Sequence, residues 1–333
     1  MRDFGRQGGT VLAKLKDRIK FALDEGRMLI LGAQVLLGFQ FRSILEKGFE
    51  QLPRSSQYLK LGALGLMLLA IGLLMSPGSY HRIVYEGEDT RDIHRYTTRV
   101  LCLALLPFAI AFGLDMYVVT AKLMGHTQGI IAGVAVSLVA LFFWYGLEMM
   151  RKTGRGPEIK EVKEMSEEKK EDEKGGTKLK DKIEQALTEA RVVLPGAQAL
   201  LGFQFASMLV EGFDKLPASS RYVHLLSLAL MVLAVILLMA PAAYHRIVEE
   251  GHDTEHFHRV ASRFLIASMI PLALGICGEL FVVVRKVTES VTAGIISATT
   301  MLLFFYGLWF GYTIYKRSEQ AASKDATGHQ VAA

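Results

Sequence analysis

The hexapeptide Leu36-Leu37-Gly38-Phe39-Gln40-Phe41 returns as Leu200-Leu201-Gly202-Phe203-Gln204-Phe205, 164 positions later. The same shift lays Tyr80-His81-Arg82-Ile83-Val84 on Tyr244-His245-Arg246-Ile247-Val248. It also brings Pro53, Pro77 and Pro107 onto Pro217, Pro241 and Pro271. The register runs without a gap to about Val119 and then slips, so that Gly146 matches Gly307. A repeat of that length is a duplicated domain rather than a solenoid unit. The chain must fold as a pair of related units, and any site in one is offered again in the other.

Composition decides what kind of unit this is. Hydrophobic residues make up 51% of the chain, and charge is gathered into a few blocks. Apolar runs near about twenty residues match the helix length that crosses a ~30 Å hydrocarbon core. Each copy holds four such runs, at roughly 27–49, 58–80, 100–119 and 130–150 in the first. The expectation is an all-α integral membrane protein with eight transmembrane helices, arranged as two parallel four-helix repeats. Residues 1–150 form the first repeat and 177–317 the second. A charged linker over 151–176 joins them, and a flexible tail covers 318–333.

Local signals fill in the units. Leu12, Leu15, Ile19 and Leu23 share one face of a basic segment over 10–26, which reads as an amphipathic helix lying in the membrane interface. Leu179, Ile183 and Leu187 are its counterpart. Pro53 followed by Ser55 and Ser56 predicts a turn with a serine cap, Pro77 a kink or a helix end, and Asp89-Thr90 an N-cap. No cleavable signal segment is visible at the start. Cys102 and Cys277 occupy non-equivalent positions in apolar runs, as small buried hydrophobes do.

Lys and Arg concentrate before span one, between spans two and three, and after span four. The positive-inside rule then places both termini and the linker in the cytoplasm, and an even number of spans makes the repeats parallel. The net charge of +5 follows from the same clusters, so anionic lipid on the cytoplasmic face is the expected partner and nucleic acid is not. No phosphate-cradling glycine loop, nucleophile elbow or HExxH is present, so an enzyme, a cofactor and a resident metal are not expected.

Two constellations carry the candidate chemistry. Asp115 and Glu279 are matching carboxylates within span three, where an acid is costly and points to function or to an interfacial pair with Lys122 or Arg285. The second is a cytoplasmic ring of histidine and arginine. Its histidines are His81, His94, His245 and His258, suited to proton relay near neutral pH. Its arginines are Arg27, Arg82, Arg95 and Arg99, with Arg191, Arg246, Arg259 and Arg263 in the copy, suited to anion or lipid binding. Gln34 and Gln198 share a stripe with glycines on span one, either as a helix-packing face or as a polar pathway lining.

The run Gly196, Gln198, Leu200, Leu201, Phe203, Gln204 and Phe205, then Leu216-Pro217, Ala240-Pro241, Tyr244-His245-Arg246 and His258-Arg259, resembles an uncharacterised bacterial family of small four-helix membrane proteins often labelled sodium:proton antiporter. The first copy matches too, with Ser76 in place of the alanine. Members carry one four-helix unit, so this chain resembles a fused dimer of the family. The resemblance implies a bacterial inner-membrane cation/proton transporter whose ligands are protons and monovalent cations, and a homo-oligomer is compatible with it. In that reading Asp115 and Glu279 bind the cargo and the histidines relay protons. The competing expectation is a non-catalytic membrane module that holds anionic lipid or a partner protein in its His/Arg ring.

Overall fold

The computed structural model describes residues 26–146, 179–249 and 252–331. The expected amphipathic segment over 10–26 lies, apart from its last residue, outside these residues, and the 151–176 linker lies wholly outside them. Among the described residues the architecture is helical with no strand. In the first repeat α1 spans Gly26–Leu45. The short α2 (Lys47–Glu50), α3 (Arg54–Val84), α4 (Arg91–Met124) and α5 (His126–Leu141) follow, and α5 runs into one π turn at Phe142–Gly146. The second repeat gives α6 (Leu179–Ser207), the short α7 (Glu211–Asp214), α8 (Ala218–Ile247), α9 (Glu255–Thr288) and α10 (Val291–Tyr306). A π turn at Gly307–Gly311 joins α10 to α11 (Tyr312–Val331).

Seven of these helices are long and apolar enough to cross a membrane: α1, α3, α4, α5, α8, α9 and the continuous α10–α11. The eighth, α6, falls short of that standard. Glu184, Glu189 and Arg191 in its first half dilute an apolar stretch that begins only at Val192. Its opening segment is also not a separate interfacial helix, as the Leu179-Ile183-Leu187 pattern predicts. It runs on unbroken into the rest of the helix, through Pro195, and Ile183 and Ala186 are buried in the main core.

Several boundaries differ from expectation for local reasons. Helix α3 starts directly after Pro53, which sits at the N-cap without a side-chain bond, so Ser55 and Ser56 lie inside the first turn. Pro77 does not end α3. A proline withholds the N–H that the carbonyl four residues back would receive, and here the Ser76 hydroxyl donates to the Leu73 carbonyl at 2.8 Å instead. The helix continues through His81 and Arg82, as α8 continues past Pro241 with alanine in the serine's place. The Thr90 cap forms as expected, its hydroxyl accepting from Ile93 N, and Thr254 repeats it with Phe257 N. Residues 91–99 are accordingly the first turns of α4 rather than loop. At the far end the helix runs to Val331, past the tail boundary expected at 318.

The repeats lie side by side and parallel. Along α1 and α6, Arg27 meets Gln185, Gln34 meets Gly196, Phe39 meets Phe203, and the Leu45 carbonyl meets Gly212. In each repeat the span-two helix packs on the span-three helix, and that one on the span-four helix. One core of buried residues runs through both repeats, with Leu37, Leu68 and Ile71 joined to Ala197, Leu272 and Phe305. Trp309, fully buried within the π turn of the second repeat, donates its indole N–H to the Gly72 carbonyl of α3 at 2.8 Å. Gly72 makes that seat: a β-carbon there would fall inside the rings of Phe304 and Phe305.

Candidate functional site

Each repeat holds its span-three acid against a base from span two. In the first, Asp115 Oδ1 receives a hydrogen bond from Lys60 Nζ at 2.7 Å, and Oδ2 receives one from Gln40 Nε2 at 2.6 Å. In the second, His224 Nδ1 lies 2.8 Å from Glu279 Oε1, an approach without the alignment of a hydrogen bond, while Nε2 of the ring lies 3.2 Å from the Gln204 carbonyl. Lys60 and His224 are equivalent positions, as are Gln40 and Gln204. The duplicated unit is therefore an acid on α4 and α9, a base on α3 and α8, and an amide on α1 and α6.

This corrects the expected partners, since neither Lys122 nor Arg285 pairs with the acid among the described residues. Helix α4 runs on to Met124, so Asp115 sits about two and a half turns inside its end, while Lys122 is exposed beyond it. The two pairs differ in enclosure. Lys60 and Asp115 side chains keep 17% and 27% of their exposure, whereas His224 and Glu279 keep 1% and 3%. A carboxylate buried that deeply is tolerated only beside a compensating partner. A small cavity of about 10 Å³ adjoins Glu279, lined by Gln204, Ser207 and Met231 and by Gly38 and Phe41 of the first repeat. The Gln204 Oε1 atom has no hydrogen-bond partner, and neither does the Oε1 of Gln40.

The His/Arg ring does not assemble as a ring. Arg82 is buried and reaches across to the second repeat, with Nη2 2.5 Å from Glu189 Oε2 and Nη1 3.1 Å from Ser262 Oγ. Arg27 is buried and donates to the Gln185 carbonyl at 3.2 Å. His81 is enclosed 3.7 Å from Asp89, whose carboxylate accepts from the Gln185 amide. His258 lies against Gly87, close to Lys182, which pairs with Glu88. His94 and His245 are half-buried, the latter 3.7 Å from Asp253. By contrast Arg95, Arg99, Arg191, Arg246, Arg259 and Arg263 are exposed, with Arg259 bonded to Glu255 one turn away. Arg27, Arg82 and His258 of the predicted ring meet the other repeat, and six of its arginines form a basic surface.

Gln34 and Gln198 part company in the same way. Gln34 is fully buried with both amide atoms lacking hydrogen bonds, packed against the backbone of Gly196, while Gln198 is exposed. Lys60, His224 and Glu189 are the residues that sequence reasoning missed. The signal for the first two was present, because a base recurs at one repeat position, but it recurs as Lys and His rather than as identical letters. Glu189 stood among linker-like charges and reveals itself only through its contact with Arg82.

No match was found among curated proteins or among solved structures. The family of unknown function DUF6328 matches twice, over residues 12–148 and again over 172–313, the two halves that the internal repeat defines. With most of its length covered in this way, the chain is a member of the DUF6328 family, carrying two copies of the family's unit.

Proposed function

We propose that the protein is a bacterial inner-membrane cation/proton transporter with eight spans and both termini in the cytoplasm, in which each repeat contributes one acid site. The observation that carries this reading is the recurrence of an acid, a base and an amide at equivalent positions on three helices, where a membrane scaffold requires none of them. Helix α6 serves as the eighth span, since its equivalent α1 qualifies and the two run parallel. At such a site the carboxylate has three occupants to choose from: its own base, a proton or a cation. A cation entering beside Asp115 or Glu279 displaces Lys60 or His224, and a proton on the carboxylate releases the same base, so the two ions compete for one group. That competition is the minimal requirement for exchange.

The test is proton flux in proteoliposomes under Na⁺, K⁺ or Ca²⁺ gradients, wild type beside the double Asp115→Asn, Glu279→Gln variant. Flux in the wild type that the variant loses is the expected result. If no gradient moves protons in the wild type, the transporter reading falls. The second reading, a non-catalytic module binding anionic lipid or a partner, is favoured by the six exposed arginines at the Arg82 end, which the inter-repeat lock leaves facing outward.

A further inference from the structure

At the end of the molecule opposite the Arg82–Glu189 contact, the repeats separate around a cleft of about 620 Å³. Its walls come from the α2–α3 junction of the first repeat and from the α7–α8 and α9–α10 junctions of the second. Apolar side chains such as Phe49, Leu52 and Leu216 line part of it, and six charged groups face one another across the rest. Four are cations, Arg54, Lys215, Arg285 and Lys286, and two are carboxylates, Glu50 and Glu289.

The acids are already committed. Glu289 accepts from Arg54 at 2.6 Å, and it sits at the left-handed φ of 58° that turns the chain from α9 into α10. Glu50 is shared between Lys215 at 2.9 Å and Lys286 at 3.4 Å. Glu211, just outside the lining, also lies 3.9 Å from Lys215, so Lys286 keeps Glu50 as its carboxylate and the positive charge left over is that of Arg285. Arg285 has no carboxylate partner among the described residues, and its guanidinium donates to Ser219 Oγ at 2.6 Å. Lys286 keeps only 11% of its side-chain exposure, and its ammonium has no aligned hydrogen bond. An enclosed ammonium with unfilled donor capacity is an expensive arrangement unless an acceptor visits it. Apolar walls around like charges also focus the field into the cleft.

We propose that this cleft is an anion site for a phosphate group, with Arg285 and Lys286 as its principal donors. A planar guanidinium beside an ammonium matches an anion with several oxygens better than a monatomic halide. The cleft is also far larger than a halide needs. The phosphate could be inorganic phosphate or the headgroup of an acidic phospholipid, because the cleft opens at the helix ends where headgroups lie.

Binding is measured on the purified full chain by equilibrium dialysis with labelled inorganic phosphate, and in parallel by flotation with phosphatidylglycerol against phosphatidylcholine vesicles. Wild type is compared with Arg285→Gln, with Arg285→Gln/Lys286→Gln, and with Lys180→Gln, an exposed cation at the opposite end, as a charge-matched control. Arg285 is partly exposed, so its single variant tests the site without opening the core. The expected result is saturable binding of one of the two probes, weakened about tenfold or more by Arg285→Gln and unchanged in the control. Phosphate binding in dialysis identifies a free anion, and binding confined to phosphatidylglycerol identifies a headgroup. Absence of both up to about 10 mM phosphate, or affinity indifferent to Arg285→Gln, overturns the proposal.

Discussion

Helices α3 and α8 are the same element in two copies, yet they meet their surroundings differently. On α3, Gly72 seats the Phe304, Phe305 and Trp309 cluster, and Gly78 lies where a β-carbon would run into the Glu189 carboxylate. The equivalent positions on α8 are Ile236 and Ala242, both exposed. Leu225, Leu226, Leu233 and Met239 are exposed along the same helix. On α3 the second repeat docks onto the first through two notches that α8 lacks, while elsewhere Gln34 and the Leu45 carbonyl of the first repeat seat against Gly196 and Gly212 of the second. Where the first copy carries Glu148, the second carries Trp309. Small residues let helices approach closely, and these two glycines set where α3 receives the second repeat.

The sharpest way to break this comparison is Trp309→Ala. It removes a fully buried aromatic and its bond to the Gly72 carbonyl, and a loss of about 3–5 kcal/mol is expected. The control is Ile236→Ala, a large side chain exposed on the open face of α8, which should shift stability by under about 1 kcal/mol. Thermal unfolding in detergent, followed by circular dichroism, reads both, and equal losses would refute the asymmetry.

Next in size is Arg82→Ala. It strands Glu189 beside Arg27 in an enclosed contact and is expected to cost about 3 kcal/mol. Arg246→Ala, its exposed equivalent, should be near neutral. A Glu189→Gln background should absorb much of the Arg82 loss, and a double-mutant cycle with no coupling would show that the two do not act together.

The smallest effect is a pH dependence at the opposite end. The hydrogen bond from Lys215, with Lys286 nearby, holds the Glu50 carboxyl below its ordinary value of 4.5. A carboxyl whose pKa is lowered by folding stabilises the fold above its unfolded value, and that contribution is lost as pH falls through the lowered one. Stability should therefore decline as pH falls below the ordinary carboxyl value of 4.5, with the decline flattened in Glu50→Gln. The equivalent Asp214 is exposed and has no ion pair among the described residues, so Asp214→Asn should leave the acid limb unchanged.

Much of the fold was legible in the chain. The 164-residue shift, the apolar runs and the Thr90 and Thr254 caps each follow from short-range chemistry, and each is present in the structure. What was not legible depends on contacts between copies. Pro77 reads locally as a kink or a helix end, yet α3 runs on past it, as α8 runs past Pro241 with Ala240 in the serine's place. Arg27 and Arg191 are indistinguishable as letters in a repeat, yet one is buried and the other exposed. The acid site was half visible: Asp115 and Glu279 announce themselves as charges in apolar runs, whereas Lys60 and His224 sit near a helix start, where bases are ordinary.

The Gly72 notch also means that the pair needs one half of each kind. A chain built from two first repeats would offer two empty seats and no indole at the position that fills them, and a chain built from two second repeats would bring two such indoles and no seat. A symmetric homodimer must use one surface for both partners. Covalent fusion lifted that requirement by keeping the halves at high effective concentration. Each half was then free to drift into a lock or a key, and the two can no longer be exchanged.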